Sequence, residues 1–191
     1  SLWSDSDASN SIWVGSNPAS TVSTAQKNTA FGLTALDATT TADENTAIGY
    51  GAGGAVTTGG YNVFVGSLAG DAVQDGTGNI AVGRNALGAT TSGLRNVAIG
   101  QNALEDPDTE NDNIGIGYNA LSGTIAGGEF NIAIGSNSLD ALTSADRNTA
   151  VGYNAGTATT TGGTNTFIGY AAGAGNTTGT TIVAIGHEAY D

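Results

Sequence analysis

Short apolar runs ending in glycine recur along most of the chain, and the stretches between them are polar, small and turn-rich. The apolar-then-glycine step falls at Gly15, Gly32, Gly49, Gly66, Gly83, Gly100, Gly117, Gly135, Gly152, Gly169 and Gly186. Every interval is 17 residues except Gly117 to Gly135, which is 18. Self-similarity at a fixed period is the signature of a repeat architecture. With this glycine as position five, position one is Asn in nine of eleven units, position four is Val, Ile or Phe in all, and position eight is Ala in nine.

The five residues ending at the glycine alternate in character and are rich in Val and Ile, which predicts a strand. Glycine at its end predicts a corner with positive φ or close backbone approach. The Thr/Gly-rich stretch after position eight, such as 38–42 or 159–163, has no helical period and predicts a second short strand and a turn. Seventeen residues cannot hold a strand, a helix and two loops. Each unit is therefore one coil of an all-β parallel β-roll or β-solenoid of about eleven 17-residue coils. Stacked about 4.8 Å apart, they form a rod on the order of 50 Å long. The repeat domain spans 11–191, and 1–10 is an N-terminal junction segment. The one extra residue is expected in the variable loop around Gly127 to Phe130.

Side-chain volumes assign the faces. Position three is usually Ala but is Phe64 and Phe167 in two coils, and position nine is usually Leu but is Gly53, Gly70, Gly156 and Gly173 around those phenylalanines. Close packing admits extra volume only where space is made for it. Positions three and nine therefore share the coil interior, which holds Trp13 (with the small Ala19 at position nine), Phe64, Phe167, Leu87, Leu104 and Leu121. Positions two and four then face the other way. Position four carries Val14, Phe31, Ile48, Val65, Val82, Ile99, Ile116, Ile134, Val151, Ile168 and Ile185, a continuous apolar stripe. A stripe of that length predicts an oligomer whose subunits meet along it. Acidic residues between Ser16 and Gly186 all fall at position ten or later, which predicts a solvated loop side.

Composition narrows the function. The chain of 191 residues has 31 Gly, two Trp, 11% charged residues and a net charge of −13. So few large side chains call for stacking or oligomerisation to bury enough apolar surface. Only Lys27, Arg84, Arg95 and Arg147 are basic, which argues against nucleic-acid binding and against docking on anionic lipid. Cysteine is absent, so no disulfide framework or thiolate chemistry is expected. No apolar run approaches the roughly 20 residues that span a bilayer. The chain begins at Ser1 without Met, and a fragment or processed product is expected.

Asn96 to Gly100 and Asn131 to Gly135 resemble the head repeats of trimeric autotransporter adhesins, the YadA-like family. Asn45 to Tyr50 and Asn148 to Tyr153 resemble the Asn-Thr-Ala-Ile-Gly-Tyr repeats of bacteriophage tail-fibre and related surface-fibre proteins. The resemblance covers Ser11 to Tyr190. It implies a left-handed β-roll, a homotrimer, and a place outside the cell, on a virion tail fibre or a bacterial surface. It also implies a host-surface carbohydrate or protein receptor as partner. The 17-residue period is longer than is usual in adhesin heads. In phage-like fibres such repeats often precede a self-cleaving chaperone domain, so maturation at Asp191 is an expectation.

Candidate chemistry is sparse. Gly49 to Gly54 has the spacing of a dinucleotide fingerprint but no following helix, and its first glycine is a repeat corner. His187, the only histidine, sits at position six and predicts an exposed corner residue; three copies around an axis are the alternative, as a metal or anion site. Asp106, Asp108, Glu110 and Asp112 form the densest acidic run, a weak calcium candidate without an EF-hand's glycine and glutamate. Tyr50, Tyr118, Tyr153 and Tyr170 share position six, where they either pack on neighbouring coils or stack on sugars. Asn176 to Thr178 matches a glycosylation sequon. No catalytic residue and no cofactor are assigned.

The sequence thus predicts a non-enzymatic fibre shaft or adhesive head presenting a multivalent surface. The alternative is a self-assembling subunit of an extracellular filament. Ice binding is weaker, because position two mixes Thr29 and Thr46 with Val63, Ile80 and Val97 instead of a threonine ladder.

Overall fold

The computed structural model describes residues 10–15, 24–106 and 109–191, together with the backbone of 2–4. It is all-β. The strands are β1 (Leu2–Ser4), β2 (Ile12–Val14), β3 (Thr29–Phe31), β4 (Thr46–Ile48), β5 (Val63–Val65), β6 (Ile80–Val82), β7 (Val97–Ile99), β8 (Ile114–Ile116), β9 (Ile132–Ile134), β10 (Thr149–Val151), β11 (Thr166–Ile168) and β12 (Val183–Ile185). They form one sheet in sequence order. From β2 onward all pairs are parallel, with Thr29 opposite Thr46 and Ala98 opposite Gly115, 17 residues apart. The β8–β9 pair is offset by 18, Ile114 to Ile132. The molecule is a β-solenoid of about ten turns. Leu2–Ser4, expected only as a junction, joins the sheet: β1 runs antiparallel to β2, with Leu2 opposite Val14.

Each parallel strand is three residues long, shorter than the five the alternation predicts. Its middle residue points inward and is buried in every parallel strand, from Trp13 and Ala30 to Phe167 and Ala184. The position-five glycine ends it. Gly49 has φ of 137°, and a Cβ there would lie 2.6 Å from the backbone carbon of Gly66 in the next coil. Backbones approach at this corner too closely for any side chain.

The expected second strand is absent from the described residues. In its place the amides of Thr40 and Thr41 both donate to the Thr57 carbonyl, at 3.1 Å each, and those of Thr57, Thr58 and Gly59 all donate to the Gln74 carbonyl. Several donors converging on one acceptor tie successive coils together without the alternating pattern of a ladder.

The core is a stack of small residues with a polar spine. Ala35, Leu36, Leu87, Leu104 and Leu121 are essentially fully buried. Phe64 and Phe167 fill the space left by glycines: a Cβ on Gly53 would lie 2.7 Å from the Phe64 ring, and one on Gly156 would lie 2.8 Å from that of Phe167. Those two glycines lie in the preceding coil, whereas Gly70 and Gly173 abut the same rings from within the phenylalanine's own coil. The Trp13 pairing with Ala19 lies outside the described residues. Beside this apolar stack runs a buried column of Asn28, Asn45, Asn62, Asn79, Asn96, Asn113, Asn131, Asn148 and Asn165. The Asn79 side-chain oxygen accepts from the Asn96 amide at 2.9 Å, and the Asn79 amide group donates to the Gly93 carbonyl at 2.7 Å. The same pattern repeats from coil to coil, so each asparagine satisfies backbone groups that the coil interior hides from water.

The extra residue lies earlier than expected. Gly128 takes the Asn113 side-chain amide at 2.9 Å just as Gly93 takes that of Asn79, so Gly127 to Phe130 are in normal register. Ile125 is buried like Val73 and Leu142. The insertion therefore falls between Leu121 and Ile125, in a turn that bulges without disturbing the columns on either side.

Candidate functional site

The outward side of the sheet presents two columns of side chains, positions two and four. Position four is exposed in Phe31, Ile48, Ile99, Ile134, Ile168 and Ile185 and half-buried in Val14, Val65, Val82, Ile116 and Val151. Ile12, Val63, Ile80 and Val183 of position two are exposed beside them. Apart from Phe31 these side chains are β-branched, and all are held at strand spacing on a stiff backbone and carry no charge. The strip runs roughly 50 Å, the length of ten coil spacings.

Two further columns flank the strip. Beyond the glycine corner lies position six. Leu33, Tyr50, Tyr118, Tyr153 and Tyr170 are exposed there, and Ser67, Arg84, Gln101, Ser136 and His187 complete the column, which contains no acid. The Tyr153 and Tyr170 rings stack with centroids 5.5 Å apart, and His187 stacks on Tyr170 at 4.9 Å. Packing on neighbouring coils thus occupies the ring faces between them. His187 lies at the corner position assigned from the sequence, with its Nδ1 3.7 Å from a Glu188 carboxylate oxygen.

On the other side, the residue just before each asparagine, position seventeen, is also exposed or half-exposed. Lys27 meets Glu44 at 2.8 Å, Arg95 meets Asp112 through two hydrogen bonds of 2.6 and 2.7 Å, and the Arg147 guanidinium lies over the Phe130 ring at 5.8 Å. Hydrogen bonding to Arg95 holds the Asp112 carboxyl below its ordinary range, and Glu44 raises Lys27. Sequence reasoning passed over this column, although Lys27 and Glu44, and Arg95 and Asp112, stand one period apart. Every described residue in it has positive φ, such as 57° at Lys27 and 58° at Arg95.

The acidic run does not converge. Asp108 lies outside the described residues. Glu110 is buried, its carboxylate accepting from the amides of Thr109 at 2.9 Å and Gly127 at 2.7 Å. Asp112 is held by Arg95 and Asp106 faces solvent. Among the described residues no three His, Asp or Glu come together as metal ligands. The glycines of 49–54 serve the coil: Gly49 makes the corner, and Gly53 makes room for Phe64. The sequon's Asn176 is buried, and its side chain accepts from the Gly179 amide at 3.0 Å. No helix among the described residues is long and apolar enough to cross a membrane. No protein-family model, no curated protein and no solved structure matches the chain.

Proposed function

We propose that the chain is a fibre shaft or adhesive head segment that acts as a side-by-side homo-oligomer, a trimer by the resemblance of its repeats to surface-fibre proteins. The observation that carries this reading is the uncharged strip of Val, Ile and Phe side chains on the outer face of the sheet, with Phe31 58% and Ile48 42% exposed. Exposed contiguous apolar surface of this length marks an interaction site. The chain's contribution is mechanical and multivalent. A solenoid whose coils are joined by in-register hydrogen bonds is stiff along its axis, and several copies on one rod turn weak receptor contacts into avidity. Such a segment belongs outside the cell, on a virion fibre or a bacterial surface, with a carbohydrate or protein receptor as partner.

Stacking into an end-to-end filament, the rival reading, would have to pair through β1, which lies antiparallel on β2 and interrupts the parallel coil stacking at that end. Electron microscopy and light scattering of the purified chain test the two. Short discrete rods of a few chains are expected. Indefinite filaments, or a monomer at micromolar concentration, would overturn the proposal.

A further inference from the structure

The exposed rings of position six form a ladder with a rung missing. Tyr153 stacks on Tyr170 and Tyr170 on His187, with planes 14° and 12° apart, so one face of the Tyr153 ring is covered and held in place. Its other face looks one coil back, where the column has Ser136 instead of a ring. Tyr118 stands beyond, two coils from Tyr153, and both tyrosines are 49% exposed. Two coil spacings amount to about 9.6 Å. A six-membered ring entering at the Ser136 level would sit about 4.8 Å from the level of each tyrosine, inside the range of about 4.5–7 Å over which rings stack.

Hydrogen-bonding groups are unpaired at the same place. Ser136 is half-buried, and its hydroxyl makes no hydrogen bond among the described residues. At position seven, beside this column, asparagines are linked side chain to side chain: Asn102 donates to Asn119 at 3.3 Å and Asn137 to Asn154 at 3.2 Å. The link from Asn119 to Asn137 is missing. That step crosses the 18-residue offset between β8 and β9. Asn119 therefore keeps an amide donor, and Asn137 a carbonyl acceptor, next to Ser136. Ser67 repeats the gap without these features: Tyr50 lies on one side, Arg84 on the other, and Leu68 follows it.

We infer that the slot between Tyr118 and Tyr153, floored by Ser136, binds a pyranose ring of an uncharged glycan. A pyranose turns C–H groups toward the aromatic rings on both faces and carries hydroxyls around its edge. Those hydroxyls can both accept from Asn119 and donate to Asn137, with Ser136 serving either way. An aromatic side chain would fill the rung but strand the same polar groups out of water, which costs more than it gains. The net charge of −13 disfavours an anionic sugar. Because Tyr170 already fixes the Tyr153 ring, little side-chain freedom is lost on binding.

This inference gives the receptor contact of the proposed function a place and a ligand class, and it rests on that reading. Calorimetry of the unsubstituted chain with β-linked tetrasaccharides of glucose, galactose and N-acetylglucosamine is expected to show binding of at least one. N-acetyltryptophanamide, standing in for a protein side chain, is expected not to bind. Ser136→Tyr fills the rung with the residue found at four other levels and should weaken the sugar about tenfold or more without lowering the melting temperature. Tyr118→Ala should also weaken it about tenfold, through loss of one stacking face, whereas Tyr50→Ala should leave it unchanged. Failure of all three sugars, undiminished binding by either Ser136→Tyr or Tyr118→Ala, or preference for N-acetyltryptophanamide would overturn the inference. Light scattering of the same samples keeps the two proposals apart. Discrete rods that bind no sugar overturn this inference alone, and a monomer that binds sugar overturns only the assembly.

Discussion

The Phe64 ring occupies the place of the missing side chain of Gly70, six residues on in the same coil, and that of Gly53 in the coil before. Neither glycine is replaceable while the ring is present. Gly70 also has φ of 59°, a conformation that disfavours a β-carbon. Phe64→Ala should cost about 3–5 kcal/mol through lost burial and the cavity left behind. Gly70→Leu should destabilise by overpacking. The double substitution should recover part of the loss, since leucine fills position nine of five other coils, each with a small residue at position three. Urea denaturation of the three variants checks this, and purely additive costs would show that ring and glycine do not share one space.

Asn96 makes a sharper test of the polar spine. Its side chain accepts from the Asn113 amide at 2.9 Å and donates to the Glu110 carbonyl at 2.7 Å. Asn96→Ala strands both buried backbone groups, at about 1–3 kcal/mol for each. Asn96→Asp should be at least as damaging at neutral pH, because a carboxylate cannot donate to the carbonyl. Thermal melts read both, and an Asp variant as stable as the parent would show that the donated bond contributes nothing.

The strand's two faces were legible from sequence because volume differences between coils record which columns share space: Phe64 with Gly53 and Gly70 names the interior directly. Turn conformation was not legible. Leu36 and Leu104 have φ of 48° and 47°, which leucine adopts unwillingly, and only burial of the side chain in the stack overrides that preference. The Asn85, Asn102 and Asn119 series at position seven was the local signal for positive φ, since asparagine tolerates it. The extra residue was misplaced because Gly127 and Gly128 look like an insertion, whereas Gly128 is the ordinary counterpart of Gly59, Gly76 and Gly93. Column seventeen escaped notice because opposite charges one period apart stand out only once register is known.

Ile99 and Gln101 separate assembly from folding. Ile99 is 38% exposed and makes little of the coil interior, so Ile99→Asp should cost the isolated chain only about 1 kcal/mol in strand propensity. In the assembly it places a carboxylate in an uncharged strip, and sedimentation should show dissociation. Gln101→Asp, at the flank, should do less. Equal effects would argue against the strip as the centre of contact.

Asp71 and Asp112 depend on pH with opposite signs. Burial raises the Asp71 carboxyl above 3.8, so its ionised form opposes folding. That cost is full above its folded pKa and fades as pH falls toward 3.8. Asp71→Asn should therefore raise the melting temperature at pH 7, with the gain shrinking at pH 3. Asp112 is lowered by Arg95, so its contribution is present above 3.8 and is lost as pH falls below that value. Asp112→Asn should lower the melting temperature at pH 7, modestly and less in high salt, because the pair is solvent-screened. Circular dichroism melts at the two pH values decide, and a gain from Asp71→Asn that persists at pH 3 would point to a cause other than ionisation.

Every parallel strand pair joins residues one period apart, 17 in all cases but one. Tension on the chain ends therefore loads the terminal coils and passes inward only when one of them has peeled away. Each peeling event frees 17 residues, about 50–55 Å of extended chain after subtracting one coil spacing. Under pulling the molecule would lengthen in nearly equal steps, with one longer step where the 18-residue coil gives way. A rod built this way absorbs work coil by coil and keeps the remainder folded.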